Sequence, residues 1–288
     1  MTEMNRSSSL ARNSELVVAA IYEREIEASL ERVWENVYDW EHLPWLHSEA
    51  FNSIDIIASG DWGWHARVEL AGAAEAEIEL ITDREAGHYV ARTLDGAGAP
   101  SEIWTSLDPI ANDRTAIQVE FCVKPMPKDA LRKLGTGYVS LYTLLWDQDQ
   151  GMMQARERAL ADRRARSAEE GEPAPISLGG LEDVRSRLPL VVDFGKRRFR
   201  IVELDGEFIA HSAECPHLLG PLDECEVVNG VILCPWHGYS FDVRTGRCSN
   251  GRSLRLRSAP QVVVDAETSQ VSVEALHAGE PMIGRSSA

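Results

Sequence analysis

Cys215-Pro-His217-Leu218-Leu219-Gly220-Pro221 is followed by Cys234-Pro-Trp-His237-Gly238-Tyr239-Ser240-Phe241-Asp242, with sixteen residues between His217 and Cys234. Each loop offers one thiolate and one imidazole. A zinc knuckle also uses two Cys and two His, but zinc modules favour Cys-x2-Cys and His-x3–5-His pairs over two mixed loops. A donor set divided this way suits a two-iron cluster, with thiolates on one iron and neutral imidazoles on the other. Glycines allow the loops to approach such a cluster closely. Backbone amides and the hydroxyls of Tyr239 and Ser240 are the expected donors to its sulfurs, which tunes the potential.

From about Ile176 to His277 the chain resembles Rieske ferredoxins and the Rieske domains of oxygenases. The resemblance implies that Cys215, His217, Cys234 and His237 hold a [2Fe–2S] cluster at one end of a small antiparallel β domain. Gly220 and Trp236 stand where the high-potential respiratory version carries an extra cysteine in each loop. A low-potential electron carrier or relay is therefore implied. Short β runs support the small β domain: Leu190–Phe194, Phe199–Leu204, Val231–Cys234, Val262–Val264 and Val271–Val273. Asp205-Gly206 and Asn229-Gly230 are turn signals between them.

The chain has 288 residues, enough for two domains with separate cores. Its formal charge of −17, from 46 acidic and 29 basic residues, argues against nucleic acid or an anionic membrane as partner. A basic electron donor or an uncharged small molecule fits better. Of five cysteines, Cys122, Cys225 and Cys248 are left over from the cluster loops. With no secretory leader and no apolar run long enough to span a membrane, this odd number predicts a reducing, cytoplasmic setting and small buried thiols.

Residues 1–14 and 279–288 read as loose tails, 15–163 as the first domain, 164–175 as a charged and then Gly/Pro-punctuated linker, and 176–278 as the second domain. In the first domain, a strand over Leu16–Ile26 leads to Ser29, a plausible N-cap. A helix follows, with apolar Leu30, Val33, Trp34, Val37 and Tyr38. Alternating strands come next, with Trp62/Trp64/Ala66/Val68/Leu70, Ala76/Ile78/Leu80 and Ile117/Val119/Phe121/Val123 each on one face. A long helix from about Gly137 to Leu160 ends the domain. This order resembles the helix-grip fold of START and Bet v 1-like proteins, which encloses an apolar cavity between a curved antiparallel sheet and its final helix. The predicted class is α+β, with the helix-grip domain first and the small all-β Rieske domain second.

The segment Asn36-Val-Tyr-Asp39-Trp-Glu-His42-Leu-Pro-Trp-Leu-His47 contains Asp-x2-His-x4-His. At about 100° per residue, Asp39 and His42 point away from the Leu30/Val33/Val37 stripe, as solvent-facing residues would. Pro44 interrupts the helix and frees His47 from helical geometry. In the final helix, Tyr138, Leu141, Tyr142, Leu145, Met152 and Met153 form one stripe, and Asp149 falls in its middle. A carboxylate there is buried, which predicts a metal, a paired cation or a shifted protonation state. An arginine or the tyrosines would serve as partner equally well on this ground.

The Asp/His/His spacing is similar to the mononuclear iron motif of Rieske oxygenases, and Gln148-Asp149-Gln150-Gly-Met-Met-Gln154 resembles their Asp-bearing helix. Gln154 departs from the acidic residue often found there. The resemblance implies His42, His47 and Asp149 as ligands of a mononuclear non-haem Fe(II). It implies Asp39 as the bridge that carries electrons from cluster to iron. Trp62, Trp64 and Trp104 are candidate cavity walls around a small apolar or aromatic substrate, although large inward aromatics are commonly plain core. His65 reads as a solvated edge residue.

The combined expectation is a Rieske-type non-haem iron oxygenase. It would hydroxylate or demethylate that substrate with O2 and with electrons relayed from NAD(P)H through a partner reductase or ferredoxin. The resemblance also implies a homotrimer, although the domain order is the reverse of that typical of the family. The rival reading is a Rieske ferredoxin-type electron-transfer or sensing protein fused to a hydrophobic-ligand-binding START-like domain with no second metal.

Overall fold

The structure is a computed structural model, and it describes residues 10–167 and 173–276. The first nine residues of the tail read at 1–14, part of the linker read at 164–175, and the tail read at 279–288 lie outside the described residues. The chain divides into two compact units, Met1–Gln154 and Ala155–Ala288.

In the first unit, β1 (Val17–Ile26) leads into α1 (Leu30–Tyr38). Ser29 is its cap, with the hydroxyl accepting the Arg32 amide at 3.3 Å. Val33, Trp34 and Val37 are buried on the inner face of α1. The chain then makes a single 3-10 turn (Trp40–His42) and a short helix, α2 (Leu43–Leu46), in which Pro44 occupies the first turn, where its missing N–H costs nothing. The helix thus ends at Tyr38, before Pro44. Asp39 and His42 do not extend the outer face of α1, and His42 is turned inward.

Six further strands follow: β2 (Phe51–Gly60), β3 (Gly63–Leu70), β4 (Ala74–Asp83), β5 (His88–Gly96), β6 (Ser101–Ala111) and β7 (Arg114–Val123). All pair antiparallel in one seven-stranded sheet of order β1-β7-β6-β5-β4-β3-β2. Strand alternation divides the sheet into two faces. Trp64, Ala66, Val68, Leu80, Val119 and Phe121 join the α1 residues in the main core. Ile81, Val90, Trp104 and Cys122 form a separate cluster, packed against Leu10 and Leu16.

The final helix of this unit, α3, runs from Lys128 to Ser167. It opens before Gly137 because Gly135 is not a breaker here. A Cβ on Gly135 would lie 2.4 Å from the Ala19 carbonyl oxygen, so glycine lets the helix lie directly on β1. The helix also continues past Leu160, so residues 164–167, read as linker, are helical. No helix among the described residues is long and apolar enough to cross a membrane.

The second unit is a set of short antiparallel sheets. Strands β9 (Leu190–Phe194), β10 (Arg197–Leu204) and β11 (Glu207–Ser212) form one sheet. Strands β12 (Val227–Val228), β13 (Val231–Leu233) and β14 (Ser240–Asp242) form a second. Strands β15 (Gln261–Val264) and β16 (Gln270–Glu274) form a third with β8 (Ile176–Gly180). Both predicted turns are hairpin corners with positive φ at both residues: Asp205 (54°) and Gly206 (81°), and Asn229 (51°) and Gly230 (79°). Phe194, Phe199, Ile201, Ala210 and Val273 make the core between sheets. The protein is therefore α+β, a curved antiparallel sheet with a long helix followed by a small all-β domain.

Candidate metal centres

The two Cys/His loops of the second unit are closed by backbone hydrogen bonds. The Cys215 N–H donates to the Gly220 carbonyl (2.9 Å), and the Leu219 N–H donates to the Cys215 carbonyl (3.2 Å). In the second loop the Cys234 N–H donates to Tyr239 (2.8 Å), and Gly238 donates back to Cys234 (3.0 Å). A Cβ on Gly220 would come within 2.7 Å of the Cys234 sulfur, so this position is kept bare to let one loop lie against the other's thiol.

Cys215 and Cys234 are fully buried and interact directly. A hydrogen bond from Cys215, outweighing burial and assisted by His237, holds the Cys234 thiol below its ordinary value, while Cys215 is pushed up. The His217 and His237 rings meet edge to face at 4.5 Å, and the Tyr239 ring lies 4.9 Å from His217. Two sulfur donors and two imidazoles on rigid, facing loops fit a [2Fe–2S] cluster.

The Ser240 hydroxyl, expected to donate to a cluster sulfur, donates instead to Asn250 Oδ1 (2.9 Å). The same oxygen accepts the Ser240 amide (2.8 Å), and Asn250 Nδ2 donates to the Gly238 carbonyl (2.8 Å). Asn250 thus clamps the loop behind His237. Sequence reading missed it because a lone Asn in a Ser-Asn-Gly turn carries no ligand spacing. Two of the three leftover cysteines are only half-buried. The Cys225 thiol donates to the Pro221 carbonyl (3.1 Å) and the Cys248 thiol to Asn250 (3.3 Å), because both lie in loops rather than the core. Cys122 is buried.

In the first unit, His42, His47 and Asp149 each offer a ligand atom, and these atoms lie within 4.8 Å of one another. All three residues are buried, at 3%, 2% and 8% exposure. Asp149 Oδ1 is 3.0 Å from His47 Nε2 and 3.5 Å from His42 Nε2. Donors at right angles around one first-row metal stand about 3 Å apart. The donor set therefore fits a metal bound on one face, in the two-His, one-carboxylate pattern.

The far side of the His47 ring has an acceptor, whereas His42 Nδ1 is buried without a hydrogen-bond partner among the described residues. His47 Nδ1 lies 2.7 Å from Gln148 Oε1, and His42 Nδ1 lies 3.6 Å from Asp39 Oδ2. The Gln148 partner at Nδ1 directs His47 Nε2 toward the shared point, as supports behind metal-binding histidines do, while the His42 ring is placed by its burial and by the nearby Asp39 charge. Asn36 Nδ2 donates to Asp149 Oδ1 at 3.0 Å. Its signal in the sequence was the one that marked Asp149, a polar residue within an apolar helix face. Burial is the largest single influence and disfavours charge on both Asp149 and His47, but their mutual hydrogen bond and attraction prevail. His47 is held above the ordinary imidazole value and Asp149 below the ordinary carboxylate value.

These residues line a cavity of about 430 Å³, walled by Trp64, Phe51, Tyr89, Ile103, Tyr138, Tyr142 and others. Of the three tryptophans expected there, only Trp64 lines it. Trp104 alternates with inward Ile103 on β6 and belongs to the cluster on the other sheet face, donating its indole N–H to Glu102 at 2.8 Å. Trp62 sits in the turn before β3, beside Gly60, off the cavity wall. His65 meets Glu77 Oε1 at 2.8 Å. Burial raises the Tyr138 and Tyr142 phenols above their ordinary value, so both keep their protons.

The loop motif has a clear counterpart among known families. Residues 175–260 form a Rieske [2Fe-2S] domain. The Rieske domain is similar to part of the mouse protein named apoptosis-inducing factor 3, at 33% identity over 87 residues, or 30% of this chain and 14% of that protein. It is also similar to part of the oxygenase component of dicamba O-demethylase from Stenotrophomonas maltophilia, at 41% identity over 70 residues, or 22% of this chain and 20% of that protein. The chain therefore spans well under two thirds of either relative. The first unit has START-like structural neighbours, among them a START superfamily protein from Mycobacterium smegmatis. That match has 19% identity and a TM-score of 0.39, covering 47% of this chain and 96% of the other.

Proposed function

We propose that this protein is a Rieske-type non-haem iron oxygenase, in which the first unit is the catalytic domain and the Rieske domain is its electron supply. The observation that carries this reading is the buried His42/His47/Asp149 set, opening onto an apolar cavity in a chain that also has a Rieske domain. Similarity of that domain to an oxygenase component lends further support. When bound, the cluster supplies single electrons and an iron at the triad supplies dioxygen activation. The chain's own residues do the rest. His42 and His47 present Nε2, Gln148 holds the Nδ1 side of His47, and Asp149 supplies the charge that favours a cation. Asp39, beside His42, is the electron bridge. Trp64 and the tyrosines of α3 keep water out and position a small apolar or aromatic substrate, with electrons drawn from a partner reductase or ferredoxin.

Iron content tests the reading. The oxygenase binds about three irons per chain, the cluster's two and one at the triad. His42→Ala and Asp149→Ala should each lower this to about two and abolish dioxygen-dependent turnover. A count of two in the native protein, unchanged in both variants, would leave instead an electron-transfer or sensing protein with a ligand-binding START-like domain.

A further inference from the structure

Tyr138 and Tyr142 stand one turn apart on α3, and both line the cavity. Phe121 backs them. The Tyr138 ring stacks on it at 4.8 Å, nearly parallel, and the Tyr142 ring meets it edge-on at 4.7 Å. These contacts fix both ring planes and therefore the positions of both phenol oxygens. Neither hydroxyl has a hydrogen-bond partner among the described residues, whereas Tyr38 in the same unit reaches both Asp61 and Thr82. Both residues are half-buried and their hydroxyls are not sealed from solvent, so they are free to donate to a molecule that enters the cavity. A ligand with an acceptor atom can take the place of water on these phenols, whereas a ligand without one leaves them unpaired as it displaces that water.

The charge of the lining narrows what that is. Asp39, Glu49 and Asp149 are among the cavity residues, while no Lys or Arg is. An anionic group held at the phenols, away from the triad and any metal there, would be desolvated with no side-chain cation to meet it. Position matters as well. Tyr142 precedes Asp149 by seven residues, about 10 Å along the helix axis. Tyr142 and Tyr138 thus stem from α3 about two and three turns before the triad's carboxylate.

We propose that Tyr138 and Tyr142 determine ligand specificity. They select an uncharged, largely apolar molecule that carries one hydrogen-bond-accepting oxygen or nitrogen, and they hold that atom away from the triad, so that the opposite end of the molecule faces the metal ligands. The assignment rests on the reading of this cavity as the substrate chamber. It predicts ligands such as aryl ketones and ethers, and it excludes carboxylates.

The test is calorimetric binding to the full-length protein, without dioxygen or reductant, with the iron count of the same preparation recorded. Three probes differ in one group: naphthalene, 1-acetonaphthone and 1-naphthoate. The ketone should bind roughly three- to tenfold more tightly than naphthalene, as one or two phenol hydrogen bonds allow. The carboxylate should bind at least tenfold more weakly than the ketone. The Tyr138→Phe/Tyr142→Phe protein keeps both rings on Phe121 and should lose the preference for ketone over naphthalene, with each single variant losing part of it. Survival of the full preference in the double variant, equal or tighter binding of the carboxylate, or no binding of any probe would overturn the proposal. An iron count of two with the ketone preference intact would instead sink the oxygenase reading and leave the phenol assignment standing.

Discussion

His47 Nε2 and Asp149 Oδ1 lie 3.0 Å apart, although 101 residues separate them, and this contact ties the short helix α2 to the middle of α3. Both groups are buried, and each is further held by a neutral amide, Gln148 on His47 and Asn36 on Asp149. An isolated ion pair in such a place is expensive to desolvate. The fold keeps it with two amides, Gln148 on the outer nitrogen of His47 and Asn36 on the same Asp149 oxygen that faces His47, and such polar neighbours are how residues supporting a metal site are arranged.

If these supports set ligand orientation, removing them weakens metal binding without removing a ligand. Gln148→Ala and Asn36→Ala should each raise the Kd of divalent iron at the triad by roughly ten- to a hundredfold. Competition with a calibrated chelator measures this. Unchanged affinity in both variants would show that ligand placement is fixed by packing alone.

Gly135 provides a stability test remote from both centres. The Gly135→Ala methyl would sit 2.4 Å from the Ala19 carbonyl oxygen, so α3 or β1 must shift. In an open helix interior this change stabilises by up to about 1 kcal/mol. Here it should destabilise by about 1–3 kcal/mol, as overpacking does. Urea unfolding of the full chain, followed by far-UV dichroism, gives the sign.

Much of this architecture was legible in the sequence because local chemistry determined it. Ser29 capped the helix it preceded, Asp205-Gly206 and Asn229-Gly230 were hairpin corners, and strand alternation correctly faced Trp64, Ala66 and Val68 into the core. Asp149 stood out as a charge on an apolar stripe. What failed depended on long-range geometry. A helical wheel pointed His42 outward because it assumed that α1 continued past Tyr38, whereas the 3-10 turn re-aims the ring. Trp104 was counted as a cavity wall because the register of β6 against β5, which turns Ile103 inward, depends on strand pairing rather than on local sequence. The Ser240 hydroxyl was assigned to a sulfur because Asn250, ten residues on, has no local signature of its role.

That clamp yields a prediction of its own. Asn250→Ala removes the acceptor of the Ser240 amide and hydroxyl and the donor to the Gly238 carbonyl. Each lost bond costs about 1 kcal/mol, so the Rieske domain should lose about 1–3 kcal/mol. The cluster's visible absorbance should bleach faster in air. Asn250→Asp, which keeps the acceptor and loses the donor, should fall between the two.

The pH dependence of the second unit turns on His211. It is 1% exposed, its Nδ1 lies 3.0 Å from the Ser212 carbonyl oxygen, and Nε2 has no hydrogen-bond partner. Burial first, and then nearby Arg200, lowers its pKa below the ordinary 6.5. The unfolded chain therefore takes up a proton at a pH where the folded chain does not. With more protons bound in the unfolded state, stability rises with pH through that window and levels off above about 6.5. Acidification below 6.5 should destabilise the domain by up to about 1.4 kcal/mol per pH unit, until the folded-state value is reached. His211→Leu removes the titrating group and the bond to Ser212 together. It should lower stability at pH 8 and flatten the decline between pH 7 and 5. Denaturant midpoints of both proteins across that range measure the effect, and an equally steep decline in the variant would assign the acid sensitivity to other groups.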